Sequence, residues 1–425
     1  MMQVIKYPIK SDWDKLLARP AQDYSSIRRH VQSIIDDVKR RGDEAVADYT
    51  KQFDNVALQN FELQTDEWTT AETIDDKLKH AIDAAIKNIS TFHQSQFEDV
   101  KKIGTVPGIN CWRRTVPIEK VGLYIPGGTA PLFSTLLMLA VPATIAGCKE
   151  IIVCTPPQRN ETVHPAILYA AKQTDVTKIY KVGGTQAVAA MAYGTETISK
   201  VYKIFGPGNQ FITCAKMLIA AEGIAIDMPA GPSELAIIAD ETCNPEYVAA
   251  DLLSQAEHGK DSQVVLISNS TEVINDANYF LEKQLQELPR KEIAAAALKN
   301  SKAILVETIN DATELSNKYA PEHLIIACNT PECIAEHITN AGSVFLGNYS
   351  PESAGDYASG TNHTLPTNGF AKAYSGVSLD SFFKKITFQQ ITKEGLHNIA
   401  ETVQLMAEHE GLQAHANAVS VRLKN

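Results

Sequence analysis

Apolar positions recur at helical spacing over 23–54, where Ile27, Val31, Ile34, Ile35 and Val38 make one stripe and Arg41-Gly42-Asp43 interrupts it before a second, short helix. The same period returns over 73–97 through Leu78, Ile82, Ala85 and Ile89, and the histidines within it, His80 and His93, read as exposed positions on a scaffold helix. From Lys120 the texture changes to short apolar runs that end in turns: VGLYIPGG at 121–128, IIVCTPP at 151–157, IYKVGG at 179–184 and IFGPGN at 204–209. Helical stretches separate these runs, which predicts a parallel sheet with its ligand crevice beyond the carboxyl ends of the strands. A second unit repeats the pattern, with strands at 235–238, 264–267, 303–306 and 324–327 and helices at 245–258 and 311–319. The polar run GNYSPESAGDYASGTNHTLPTNG, 347–369, reads as a long irregular loop of the kind that carries function. The tail over 392–423 is helical again, broken at Gly411. The fold class is therefore α/β. Three strand ends in the first unit carry paired glycines or Gly-Pro-Gly, which let a backbone approach a phosphate. Tight turns need glycine equally, and neither a GxGxxG nor a ribose-binding acid at the usual offset is present.

Composition narrows the partners. A chain of 425 residues with 44% hydrophobic and 21% charged residues can bury the cores of two or three domains. Its net charge of -11 argues against nucleic acid and anionic membranes and favours a small substrate. The start, MMQVIKYPIKSDWDKLL, lacks the apolar stretch of a signal peptide, and the most apolar run, 132–148, contains Ser134, Thr135 and Pro142, so a cytoplasmic location is expected. Seven cysteines without CxxC spacing predict neither a disulfide framework nor a thiolate zinc site, and read as buried small hydrophobes.

Candidate chemistry centres on DLLSQAEHGKDSQ, 251–263. Asn244 can cap the helix, Pro245 suits its first turn and Gly259 can stop it, which puts Gln255 and His258 on one face near the carboxyl end, where carbonyl dipoles favour a cation. From this pair alone, a solvated helix end is the ordinary reading. Glu-His occurs four times, at 257/258, 322/323, 336/337 and 408/409, so the dipeptide itself says little. Glu336-His337 falls in what reads as an ordinary amphipathic helix, CIAEHITNA, whereas Glu322-His323 follows Pro321 at the entry to a strand, where an acid and an imidazole suit proton transfer near neutral pH. Asp356 and His363 lie in the polar loop and His415 in the last helix. Together Gln255, His258, Asp356 and His415 make an N2O2 set suited to Zn²⁺ or Mn²⁺, although spacing alone does not bring them together.

Through VGLYIPGGTAPLFSTLLMLAVPA, VGGTQA, IFGPGN, DMPAGPSE, DLLSQAEHGKDSQ, PEHLII, AGSVFLG, SPESAGDYASGTNH and AHANAV, in that order, the chain resembles the histidinol dehydrogenase family over nearly its whole length. The resemblance implies a zinc-containing, NAD-dependent alcohol and aldehyde dehydrogenase that takes L-histidinol through L-histidinaldehyde to L-histidine with two NAD⁺ and water. It implies two incomplete Rossmann-like parallel-sheet domains, with a small N-terminal segment and a helical C-terminal dimerisation segment. The division expected is 1–22, then 23–123 with 235–375, then 124–234 for NAD, and 376–425 as a tail reaching the partner subunit. One Zn²⁺ per subunit is implied at Gln255, His258, Asp356 and His415, with Glu322 activating water and His323 acting as base. Substrate contacts are implied at Ser233 and Glu410 as well as at Gln255, His258, His323, Asp356 and His415, and NAD contacts at Tyr124, Gln186 and Asn209. His363 resembles a position near the substrate, and a homodimer with shared active sites is implied, so Glu410 and His415 would complete the neighbour's site. The residues by themselves also admit a zinc hydrolase in which Glu322 activates metal-bound water, or a non-catalytic protein that binds zinc or imidazole.

Overall fold

The computed structural model describes residues 2–19, 24–127 and 131–424. Asp23, the expected start of the first helix, Gly128, the end of the first strand-turn run, and the following two residues of that motif lie outside the described residues. Three sheets organise the chain. One has six parallel strands in the order Gln3–Lys6, Lys302–Leu305, Gln263–Ser268, Glu234–Ala239, His323–Ala327 and Ser343–Leu346. A second has five parallel strands in the order Lys178–Tyr180, Glu150–Cys154, Lys120–Tyr124, Lys203–Phe205 and Ala225–Ile226. Both are covered on two faces, which is why their strands read as continuous apolar runs. In Glu234–Ala239, Leu235, Ile237 and Ala239 enter one core while Ala236 and Ile238 enter the core on the opposite face. Each fully buried Leu or Ile contributes roughly 1.5–3 kcal/mol relative to exposure, so a one-residue slip of this strand would exchange its two core faces.

The structure corrects the expected division. The helices Tyr24–Arg41, Asp43–Asp54 and Asp76–Gln94, grouped from sequence with 235–375, pack instead on the five-stranded sheet. Val31, Ile34, Ile35 and Val38 share a core with the helix Gly184–Tyr193, and Ile82 and Ile89 share one with the helix Phe133–Ala146. An apolar stripe says that a face is buried, not against which partner. The expected boundary at 123/124 also cuts the strand Lys120–Tyr124, and the first 22 residues are no separate segment, since Gln3–Lys6 forms the edge of the six-stranded sheet.

Further differences have local causes. A three-stranded antiparallel sheet, Phe383–Ile391, Ile109–Pro117 and Ile103–Val106, was not legible, because these half-exposed strands mix charges with isolated aromatics such as Trp112 and Phe388, whose rings stack 5.5 Å apart. Inside the expected loop 347–369 lies the helix Glu352–Tyr357, too short for a periodic signal and holding Gly355 at its centre. His93 is fully buried rather than exposed, its Nδ1 3.2 Å from Gln96 Oε1. The expected helix through His337 stops at Ala335. Among the cysteines, 154, 214, 243 and 328 are buried as expected, whereas Cys333 is exposed and all seven are free thiols.

Candidate active site and metal centre

The two parallel sheets meet the site with opposite ends. Pro126 and the turn Pro207–Asn209 follow the carboxyl ends of Lys120–Tyr124 and Lys203–Phe205, as the crevice rule requires. Ser233 and Glu322, in contrast, immediately precede the strands Glu234–Ala239 and His323–Ala327, so the six-stranded sheet presents its amino ends. Between them lies a cavity of about 490 Å³. It is lined by Ser233, Gln255, His258, Glu322, His323, Asp356 and His363 from one side and by Thr135, Gly208 and Asn209 from the other.

The helix Pro245–Ala256 delivers Gln255. Asn244 caps it, its side chain accepting from Glu246 N at 3.0 Å, with Pro245 in the first turn. The helix ends two residues earlier than expected, with Glu257 still right-handed and Gly259 outside the positive-φ set, so His258 stands just beyond the last turn. Gln255 is buried and His258 exposed. The short helix Glu352–Tyr357 supplies Glu352 and Asp356, four residues apart and therefore on one face. One donor atom each from His258, Glu352 and Asp356 fall within 4.8 Å of one another. With its nitrogen toward Glu352, the Gln255 amide donates to Oε1 at 2.5 Å and Oε2 at 3.2 Å; the reverse orientation sets oxygen against oxygen, a contact that calls for a cation.

Charge points the same way. Burial, then the neighbouring Asp356, Glu322 and Asp251, holds the Glu352 carboxyl well above the carboxylate range, and burial pushes Asp356 and Asp251 each up to about 7. No lysine or arginine lines the cavity among the described residues. Buried acids gathered without a basic partner, beside an imidazole and an amide, are the donor set a divalent ion would neutralise, so the residues present fit zinc.

Glu322 and His323 adjoin this cluster. Glu322 is buried, accepts from Glu234 N at 2.9 Å, and is held well above the carboxylate range by burial. Both ring nitrogens of buried His323 lack a hydrogen-bond partner; Nδ1 lies 3.8 Å from Glu322 Oε2 and 3.9 Å from Glu352 Oε1, and Nε2 lies 3.8 Å from Asp356 Oδ1. Burial pushes that imidazole down to about 3, so it is neutral at pH 7. His363 has Nδ1 3.1 Å from the Asp356 carbonyl oxygen and Nε2 3.3 Å from Thr135 Oγ1, and burial takes it down to about 4.

Across the cavity, Asn209 caps the helix Gln210–Ala221, accepting from Phe211 N at 3.0 Å and Ile212 N at 3.2 Å. Tyr124 and Gln186 are not among the residues lining the cavity. Tyr124 accepts from Gly184 N at 3.2 Å, and Gln186 is fully buried with neither amide atom partnered. Glu410 and His415 are elsewhere. Both are exposed on the hairpin of Lys393–His409 and Gln413–Leu423, which packs on itself and against the antiparallel sheet. One chain thus gathers Gln255, His258 and Asp356 but not His415, and adds Glu352, which the sequence reading missed. Its signal was the i, i+4 acid pair in PESAGD, hidden by the loop-like composition around it.

A family model described as histidinol dehydrogenase matches residues 17–423. The chain belongs to the histidinol dehydrogenase family. It is 58% identical over 424 residues to histidinol dehydrogenase of Bacteroides thetaiotaomicron, covering 100% of this chain and 99% of that one. It is 50% identical over 418 residues to the chloroplastic histidinol dehydrogenase of Arabidopsis thaliana, covering 98% and 90%. The crystal structure of histidinol dehydrogenase from Elizabethkingia anophelis superposes with a TM-score of 0.98 at 54% identity, covering 100% of this chain and 98% of that one. As a histidinol dehydrogenase family member the chain is an oxidoreductase, not the hydrolase or the non-catalytic binding protein that its residues alone admitted. No helix among its described residues is long and apolar enough to cross a membrane.

Proposed function

We propose that this chain oxidises L-histidinol to L-histidine through L-histidinaldehyde, consuming two NAD⁺ and water. The observation that carries the reading is the meeting, in one cleft, of a metal-type donor cluster with a neutral imidazole and a buried carboxyl. Gln255, His258 and Asp356 would hold Zn²⁺ together with His415 of a second copy, and the ion when bound would fix the imidazole and amine of the substrate. Ser233, beside Glu234, and Glu410 from the second copy would add contacts. His323 then takes the proton from the hydroxyl as hydride leaves the same carbon, and Glu322, in its ionised form, takes a proton from the water that adds to the aldehyde before the second hydride leaves. Tyr124, Gln186 and Asn209 would contact NAD⁺, the hydride acceptor; of these, Asn209 lines the cavity.

A homodimer with shared sites is supported by the exposed apolar surface of the C-terminal hairpin, where Met406 is 62% and Leu405 48% exposed. Ile103 and Ile386 on the antiparallel sheet are exposed as well. Free thiols throughout support a cytoplasmic setting. The test is direct: purified zinc-loaded protein given histidinol and NAD⁺ should form two NADH per histidine. Absence of NADH, with zinc bound and the fold intact, would overturn the proposal.

A further inference from the structure

Arg19 belongs to the N-terminal stretch that reads from sequence as a mere lead-in, yet its guanidinium is at the junction of four segments. Its Nε donates to Glu234 Oε1 and its Nη2 to Glu234 Oε2 at 2.8 Å, a bidentate pair in which Glu234 is almost wholly buried. Nη2 also donates to the carbonyl oxygens of Tyr319 at 2.7 Å and Ala320 at 3.4 Å, and the guanidinium lies 4.2 Å from the centre of the Tyr319 ring. Asn368 N donates to Glu234 Oε1 at 2.9 Å, tying in the loop after His363. Glu234 in turn reaches the site, since its own N–H is the donor to Glu322 Oε2 at 2.9 Å.

The other arm of the clamp bears on the peptide that leads into the reactive pair. Ala320 has φ 54° and ψ 67°, a left-handed conformation that an alanine adopts only when its surroundings impose it. Pro321 follows, and Glu322 and His323 come next. The carbonyls on both sides of the strained turn are thus held by the same side chain that holds the strand start supplying Glu322 with its hydrogen bond. We propose that Arg19 is a positioning residue for oxidation at this site, setting the Glu322 carboxyl by clamping Glu234 and the Tyr319–Ala320 turn at once. Arg19 does not line the cavity and touches neither Glu322 nor His323 through its side chain, so its effect is exerted through those two segments. Only arginine presents a flat fork able to serve a carboxylate and two carbonyls together; a lysine ammonium can replace one arm.

The inference rests on the proposed role of Glu322 in the aldehyde step, and the experiment separates the two. Full-length, zinc-loaded Arg19→Met, Arg19→Lys and the charge-balanced double variant Arg19→Met/Glu234→Gln are assayed with histidinol and with histidinaldehyde separately, beside Glu322→Gln. Displacing a reacting group by about 1 Å costs on the order of 100-fold in rate. Arg19→Met should therefore lower kcat for aldehyde oxidation by about that factor, with KM for histidinol and zinc content within about twofold of the parent. Arg19→Lys should recover part of the loss. If Arg19→Met does not fold, the double variant carries the same expectation and Arg19→Lys a smaller loss of the same kind. Unchanged kcat in variants that merely melt earlier, or parallel loss of KM and zinc, would overturn the positioning role. Intact aldehyde oxidation in Glu322→Gln would instead overturn the role given to Glu322 itself.

Discussion

At the scale of single residues, burial disfavours charge on both Glu322 and His323. His323 is neutral because burial strips the water an imidazolium requires, and the same burial keeps Glu322 from ionising cheaply. The tasks proposed for them differ, so their variants should differ. His323→Ala should slow oxidation of the alcohol by about 100-fold or more, while Glu322→Gln should chiefly impair the aldehyde step. Equal losses on both substrates, measured separately as NADH formation, would refute that division. His93 shows the same physics away from the site. Burial lowers its pKa from the ordinary 6.5, so the unfolded chain binds the proton better, and the stability His93 contributes is present above about 6.5 and lost as pH falls through the lowered value. His93→Phe should make the decline in melting temperature between about pH 7 and 5.5 shallower, and an unchanged slope would show that other groups govern that limb. The sequence reading placed His93 on the surface because a polar side chain at a core-facing position looks the same as one that has drifted off the stripe.

At the scale of elements, two helix ends build the metal cluster. Pro245–Ala256 was legible from its cap, its proline and its apolar spacing, and only its last turn was misjudged. The other, Glu352–Tyr357, was not, since six residues with a central glycine carry no periodicity, and with it Glu352 was lost. Glu352 touches Gln255 and lies 3.9 Å from His323, so it orients a proposed ligand and would add negative charge beside a bound cation. Glu352→Gln should weaken zinc binding by roughly 10–100-fold, read as zinc content after dialysis against a competing chelator. Full retention of zinc would show that the amide needs no such support. Gly206 illustrates an element constraint of a different kind. At φ 131°, an added Cβ would come 2.1 Å from the Tyr124 carbonyl oxygen, so Gly206→Ala should displace the turn leading to Asn209 and raise KM for NAD⁺ more than it changes zinc content. Zinc loss equal to the KM effect would argue for general unfolding instead.

At the scale of the whole molecule, three of the proposed ligands, Gln255, His258 and Asp356, line one cavity and the fourth, His415, is exposed on the C-terminal hairpin. His415→Ala should lower zinc content, and mixing it with Glu322→Gln should restore part of the activity, because one of the two hybrid sites then carries neither lesion. No recovery after demonstrated subunit exchange would refute shared sites. The sequence by itself determined the α/β class, the apolar strands, the capped helix at Asn244 and, through its motifs, the family, because caps, turns and hydrophobic periods are local and the motifs are contiguous. Only the tertiary structure decided that the early helices cover the five-stranded sheet, that carboxyl ends of one sheet face amino ends of the other, that Glu352 joins the donor cluster, and that Arg19 clamps the segments leading into the reactive pair. Those facts depend on which buried face meets which, and an apolar pattern records that a surface must leave water without recording what it will meet there.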